Sequence, residues 1–334
     1  MIDFRYHLVS LISVFLALAV GIVLGAGPLQ GPIGSSLQSQ VDALRTDRDT
    51  LRTELDEART HMEQTAAFVD ATASDLIADS LSDRSVTLVR LAGADNDAAD
   101  AASARAEEAG GSIASDVSLD DDAFAAADAE LLTALRDADD SLPEDDSAVM
   151  GAALAKALGA QTQVVEENAP ASPADSADDT EESADSRQAA SQDLFGILSD
   201  AERIAGGQWA EADAAVVIAP SLQQDAAAEP TPSATPSPTA EAAAAPADPV
   251  AIHADFSSAL AGETVVVVAG PSASATGGLL ATLRSDRVDL STVDGTDLST
   301  GPALIPLVVE AAIDGSFGDY GTAQGATAVL PERA

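Results

Sequence analysis

His7, His61 and His253 are the only imidazoles in this chain, Met1, Met62 and Met150 its only thioethers, and cysteine is absent. Without cysteine there is no disulfide, no thiolate nucleophile, no zinc finger and no Cys-based redox site. Soft cations such as Cu(I) take thiolates or clustered Met and His. The adjacent pair His61-Met62 lies in a helical pattern, where sequence neighbours point to different faces. The three histidines fall in a membrane approach, a coil and a helix, and their spacing gives no sign of convergence. Neither a P-loop nor GxSxG occurs, and no acidic run has EF-hand spacing. The turn at 269–278, AGPSASATGG, lacks the GxGxxG that a dinucleotide needs, and Pro271 stiffens it. It offers an anion only what any parallel α/β loop offers at a helix N-terminus. The residues themselves therefore assign no catalytic, cofactor or metal group. One loop, Gly318-Asp319-Tyr320-Gly321, is a candidate contact loop. Its plainer reading is a tight turn with Tyr320 packed beneath.

What these residues lack in chemistry, the chain's organisation supplies in architecture. Residues 8–24, LVSLISVFLALAVGIVL, carry no charge. The uncharged stretch extends to Pro28, and 21 residues at about 1.5 Å each match the roughly 30 Å hydrocarbon core of a bilayer. Arg5 and the small residues at 25–27 would also suit a signal peptide. A retained anchor is favoured, because the apolar run exceeds the usual signal core and Pro28 follows the last plausible cut. Ser13, Ala17, Gly21 and Gly25 recur every four residues on one face, a spacing that lets membrane helices approach closely. Arg5 precedes the span and the next basic residue is Arg45. The positive-inside rule thus predicts a single-pass protein in the cell envelope, with a cytoplasmic N-terminus and an extracytoplasmic body.

Beyond a Gly-Pro-rich exit at 25–34 the pattern changes. Leu37, Val41, Leu44, Arg48, Leu51, Leu55, Ala58, Met62, Thr65, Val69, Thr72 and Leu76 alternate at spacings of four and three. This is the heptad seam of a left-handed coiled coil, with Arg48 as a local cost or a register marker. The predicted interface residues are Leu37, Val41, Leu44, Leu51, Leu55, Met62, Val69 and Leu76. A parallel homodimer, or a heterodimer with a similar envelope protein, is the expected assembly. The rival expectation packs this helix on the chain's own body.

From residue 83 onward, strand-like and helix-like segments alternate. Strands are expected at 85–91, 113–119, 214–219, 264–269 and 288–293. Helices are expected at 96–109, 120–136, 147–158, 192–205, 250–260, 277–285 and 302–313. Continuous apolar strands alternating with helices predict a parallel sheet buried on both faces. The segments 86–119 and 265–293 read as two βαβ halves. Two low-complexity inserts, 161–190 and 222–249, are too poor in large apolar residues to offset ordering entropy and are expected to be disordered. The expected fold class is α/β, with an N-terminal transmembrane helix (1–29), a long coiled-coil helix (35–80) and a Rossmann-like parallel α/β sandwich (83–334).

The net charge of −41 argues against nucleic acid and anionic lipid surfaces as partners. Lys156 is the only lysine, and the acidity is that of a salt-adapted proteome rather than of a specific site.

The N-terminus MIDFRYHLVSLISVFLALAVGIVLGAGPL resembles the start of the actinobacterial MctB family, the copper transport outer-membrane proteins. The coil and α/β body follow in a similar order. Near the C-terminus, VDGTDLSTG at 293–301, an apolar helix and Gly318-Asp319-Tyr320-Gly321 resemble that family's closing motifs. The resemblance implies copper homeostasis and a pore. The residues sit uneasily with a pore: a transmembrane β-barrel needs many alternating strands of about ten residues, whereas these strands are few and continuously apolar. Three functions are therefore carried forward. The preferred one is a non-enzymatic envelope scaffold that binds a partner through its coil. The others are a copper transport component and an α/β enzyme without a recognisable site.

Overall fold

The computed structural model describes residues 4–26, 30–159, 177–221 and 248–332, with side chains over 6–23, 38–159, 186–221 and 248–332. The chain divides into two compact units, Met1–Thr65 and Ala66–Ala334.

The first unit is helical. Helix α1 (Phe4–Ala26) is long and apolar enough to cross a membrane, and its described side chains are all exposed. Ser13, Ala17 and Gly21 fall on one face; Ser13 Oγ donates to Val9 O at 2.8 Å, and nothing approaches Gly21 within 4 Å. The surroundings of Gly25 lie outside the described residues. Helix α2 (Gln30–Ile77) runs for 48 residues into the second unit. It starts earlier than expected, within the Gly-Pro stretch. Pro32 is tolerated there because the first N–H groups of a helix have no intrahelical acceptor. Thr65 and Thr72, both seam positions, turn their hydroxyls back to the carbonyls of His61 and Phe68 at 2.9 Å. Their hydrogen-bonding need is thus met within the helix.

The second unit contains the end of α2, then β1 (Ser85–Leu91), α3 (Asn96–Glu108), β2 (Ser112–Leu119), a 3₁₀ turn (Asp121–Phe124), α4 (Ala129–Ala138), α5 (Asp146–Leu158), α6 (Ala177–Asp200) and β3 (Ala214–Ile218). It continues through α7 (Pro249–Ala261), β4 (Val266–Gly270), α8 (Ser274–Gly277), α9 (Leu279–Asp286), β5 (Ser291–Asp294), α10 (Thr300–Ile313) and β6 (Asp319–Tyr320). The six strands form one sheet in the order β2-β1-β3-β4-β5-β6, and every ladder is parallel. Alternate residues feed two cores. Val89, Val117, Val217 and Val268 meet α5, α6, α7 and α9 on one face. Leu88, Val216, Val267 and Val293 meet α3, α10 and Ile77 of α2 on the other. Burial on both faces is why the central strands β3 (AAVVI) and β4 (VVVAG) are apolar without alternation, whereas β2 (SIASDVSL), at the sheet edge, alternates. The alanines of α3 (Ala98, Ala99, Ala102 and Ala106) are its buried face.

Both expected βαβ halves form: β1 pairs with β2 and β4 with β5, with β3 between the halves. The order differs from the 3-2-1-4-5-6 of dinucleotide-binding sheets. Several boundaries move for local reasons. The helix expected at 120–136 divides, because Asp128 accepts from the N–H groups of Glu130 and Leu131 (3.1 and 2.8 Å) and caps a new helix at Ala129. The helix expected at 277–285 forms as α9 from Leu279, preceded across Gly278 by the short, unforeseen α8. The strand expected at 288–293 shortens to Ser291–Asp294, since Arg287 adopts left-handed φ of 52°. Helix α6 begins at Ala177, inside the stretch expected to be disordered, and the strand β6 was not foreseen. The remainder of the two inserts, 160–176 and 222–247, lies outside the described residues.

Candidate functional site

Besides the small-residue face of α1, two places hold the residues singled out by sequence. The first is the seam of α2. Among the described residues, Val41, Leu44, Leu51, Leu55 and Met62 are exposed, Leu44 at 67% and Leu51 at 64%. Leu37 belongs to the helix, but its side chain lies outside the described residues. Toward the C-terminal end, Val69 is half-buried and Leu76 is 38% exposed. The body does bury part of this helix, but along a neighbouring stripe: Ala73, Ile77 and then Leu81 are 2%, 0% and 0% exposed. Polar contacts fasten the same stripe to α3. Arg105 pairs with both Asp70 and Glu108, and Ser74 Oγ donates to Glu108. The Ser74 hydroxyl and the Arg105 guanidinium hold the Glu108 carboxyl below its ordinary range. Leu76 opens onto a groove of about 390 Å³ bordered by Leu307, Glu310, Asp314 and Leu330.

Sequence reasoning overlooked the columns that flank the seam. The residues preceding Arg48, Leu55, Met62 and Val69 are Asp47, Glu54, His61 and Phe68. The residues following Leu44, Leu51, Ala58, Thr65 and Thr72 are Arg45, Arg52, Arg59, Ala66 and Ala73. One side of the seam is thus acidic and the other basic until both change character near residue 66. Once heptad letters are written against the seam, these columns can be read from sequence alone.

The second place is the loop Gly318–Gly321. The structure draws its groups inward. Tyr320 is 7% exposed, its hydroxyl pushed up by burial and by the Asp319 and Glu332 carboxylates, and its ring lies against Gly318. Beneath the loop, Arg284 (5% side-chain exposure) pairs with Asp294 (0%) at 2.9 Å. Arg284 also donates to Thr292 Oγ1 (2.8 Å), Gln324 O (2.9 Å) and Tyr320 O (3.2 Å). Thr292 passes its own proton toward Asp319 at 2.8 Å. Asp294 Oδ1 accepts from the N–H groups of Thr322 and Ala323 at 2.9 and 3.0 Å. Gly321, at φ +129°, sits directly on that carboxylate, where a Cβ would collide. The arrangement ties the C-terminal loop to β5.

The match that assigns the chain is nearly complete: the family described as "Copper transport outer membrane protein, MctB" covers residues 1–331. The chain belongs to the MctB family. Proteins of Mycobacterium tuberculosis and Mycobacterium bovis named "Copper transporter MctB" are 33% identical to it over 132 residues, which is 40% of this chain and 42% of theirs. One of the same name from Mycobacterium leprae is 49% identical over 119 residues, 36% of this chain and 38% of its own. The chain thus matches about two fifths of the length of these relatives.

For an MctB-family chain, the soft donors deserve placing. His253 is buried in α7, its ring centroid 5.3 Å from that of Phe124, and desolvation lowers its pKa. Met150 is buried in α5, while Met62 and His61 are exposed on α2. Among the described residues no three His, Asp or Glu side chains stand close enough to share a metal ion. The turn after β4, considered for an anion, is filled internally: Ser272 N–H and Oγ donate to Asp297 Oδ1 at 2.8 and 3.0 Å. A carboxylate of the chain already takes those donors.

Proposed function

We propose that this chain is a non-enzymatic, membrane-anchored scaffold of the cell envelope. In this reading α1 is a single-pass anchor with its N-terminus in the cytoplasm, and α2 is a coiled-coil stalk. The body is a parallel α/β head that works outside the membrane by contact rather than by chemistry. The observation that carries the reading is the row of exposed Val41, Leu44, Leu51, Leu55 and Met62 on one helical face. Large apolar side chains at heptad spacing are stable in water only when a second helix covers them. Arg5 ahead of the span, with no further basic residue before Arg45, supports the orientation.

Copper transport is the second reading, favoured by the name borne by the mycobacterial relatives. Copper would then be cargo, and the exposed His61-Met62 pair is the first place to look for donors.

Capture of the tagged full chain from native membranes separates the two. The scaffold reading expects envelope partners to be held by the intact chain, lost with Leu44→Asp/Leu51→Asp, and free of stoichiometric copper. Stoichiometric copper that survives those substitutions would overturn it in favour of transport.

A further inference from the structure

The proposal above leaves the seam's occupant open between a second copy and a different protein. Building on that reading, we infer that the occupant is a second copy of this chain, parallel and in register, selected by the charges flanking the seam.

In heptad terms Val41, Arg48, Leu55, Met62, Val69 and Leu76 are a positions, and Leu44, Leu51, Ala58, Thr65 and Thr72 are d positions. The preceding column is then g and the following one e. In a parallel pair, a g residue meets the e residue five places further along the other helix. Asp47 of one copy meets Arg52 of the other, and Glu54 meets Arg59. Two-fold symmetry makes four such pairs. An antiparallel pair would set e against e and g against g, placing arginine opposite arginine and carboxylate opposite carboxylate. The parallel homodimer is therefore the arrangement in which this helix complements itself. It is also the one that two copies anchored at the same end in one bilayer would adopt.

The structure leaves these groups available. Among the described residues the side chains of Asp47, Arg52, Glu54 and Arg59 take part in no hydrogen bond or ion pair of their own chain, whereas Arg45 is held by Asp42 and Arg48 by Asp49. The Asp49 contact, at 2.6 Å, draws Arg48 sideways, which eases the one layer where the copies would set like charges together. Phe68, a g residue 69% exposed, follows where the charged columns end.

The absence of native cysteine makes the test clean. Leu51→Cys in the full chain should give disulfide-linked dimers in membranes under mild oxidation. Co-expressed Leu44→Cys and Leu51→Cys chains should give no mixed product, since those positions lie one heptad apart. Arg52→Glu/Arg59→Glu and Asp47→Arg/Glu54→Arg should each weaken self-association in detergent by roughly two to three orders of magnitude, as four attractive contacts become repulsive. An equal mixture of the two variants should restore it, because every g–e pair is again opposite in charge. Undiminished self-association of each variant, or no recovery on mixing, overturns the inference. Loss of envelope partners with Leu44→Asp/Leu51→Asp, but no Leu51→Cys homodimer, also overturns it while leaving the scaffold reading intact. Failure of the seam substitutions to release any partner removes the scaffold reading itself.

Discussion

Replacing Asp294 by asparagine isolates one charge at the centre of the body. Asp294 is fully buried, and its carboxylate takes Arg284 on Oδ2 and two loop N–H groups on Oδ1. Asparagine keeps the shape but has one acceptor oxygen. If that oxygen holds Thr322 and Ala323, its NH₂ faces the Arg284 guanidinium, donor against donor. Removing one partner of a buried ion pair costs about 3–5 kcal/mol. Asp319, 3.7 Å from Arg284 Nε, keeps part of the compensation. We expect a net loss of about 2–4 kcal/mol, a large share of the roughly 5–15 kcal/mol that holds a domain together. Trp209, the only tryptophan, donates to Ser191 at 3.1 Å within the body and gives a local fluorescence probe for denaturant unfolding. Asp294→Asn should lower the midpoint, and Arg284→Met/Asp294→Asn should recover part of the loss, because the asparagine oxygen still accepts from the two loop N–H groups and no unpaired charge is then left buried. A loss below about 1 kcal/mol for the single variant would refute the view that this pair ties the loop to the sheet.

Other predictions address separate elements. Gly321→Ala should destabilise the body by about 2 kcal/mol or more by the same assay, since φ of +129° is strained for any side chain and Asp294 fills the space. Ile77→Ala should cost about 2–4 kcal/mol of body stability, because the side chain is fully buried against the α3 and α10 face. The same variant should leave Leu51→Cys cross-linking intact, which separates helix docking from pairing. The pKa of His253 is lowered by burial from its ordinary 6.5, so the unfolded chain binds the extra proton more readily. The stabilising contribution of the neutral ring is full above pH 6.5 and falls as the pH drops through the folded value. His253→Phe should flatten that acid-side decline in unfolding free energy measured against pH.

The sheet was legible because its central strands declare themselves: the apolar runs at 214–219 and 264–269, each bounded by turns and alternating with helices, pointed to a parallel, doubly covered arrangement. Residues whose conformation is set by a single side-chain contact were not legible. Asp128 caps α4 with two hydrogen bonds, and an acidic, alanine-rich stretch gives no hint which of its aspartates will do so. Strand β6 is two residues long and exists because Arg284 and Asp294 gather the C-terminal loop, a long-range contact that no local period encodes. The loop Gly318–Gly321 was expected as a candidate contact loop or, more plainly, as a tight turn over Tyr320. The same glycines are explained by the close approach of the Tyr320 ring and of the Asp294 carboxylate.

Helix α2 carries two adjacent programmes, and the sequence shows where one gives way to the other. Along the stripe beside the seam, residues 45, 49, 52, 56, 59 and 63 are Arg, Asp, Arg, Asp, Arg and Glu. Continued at the same spacing, the stripe becomes Ala66, Asp70, Ala73 and Ile77. Ala73 and Ile77 are buried on the body, and Asp70 is paired to Arg105. The change from charge to small and apolar residues falls where the second compact unit begins. The seam itself keeps its 4,3 spacing through the change, with Val69 and Leu76 continuing the row of Leu55 and Met62. A helix meant only to pack on its own body would need one apolar stripe over its last three turns. This one keeps a second stripe at heptad spacing, whose described apolar residues Val41, Leu44, Leu51, Leu55 and Met62 are exposed. The proposed association with another helix would give that stripe a physical reason to remain apolar.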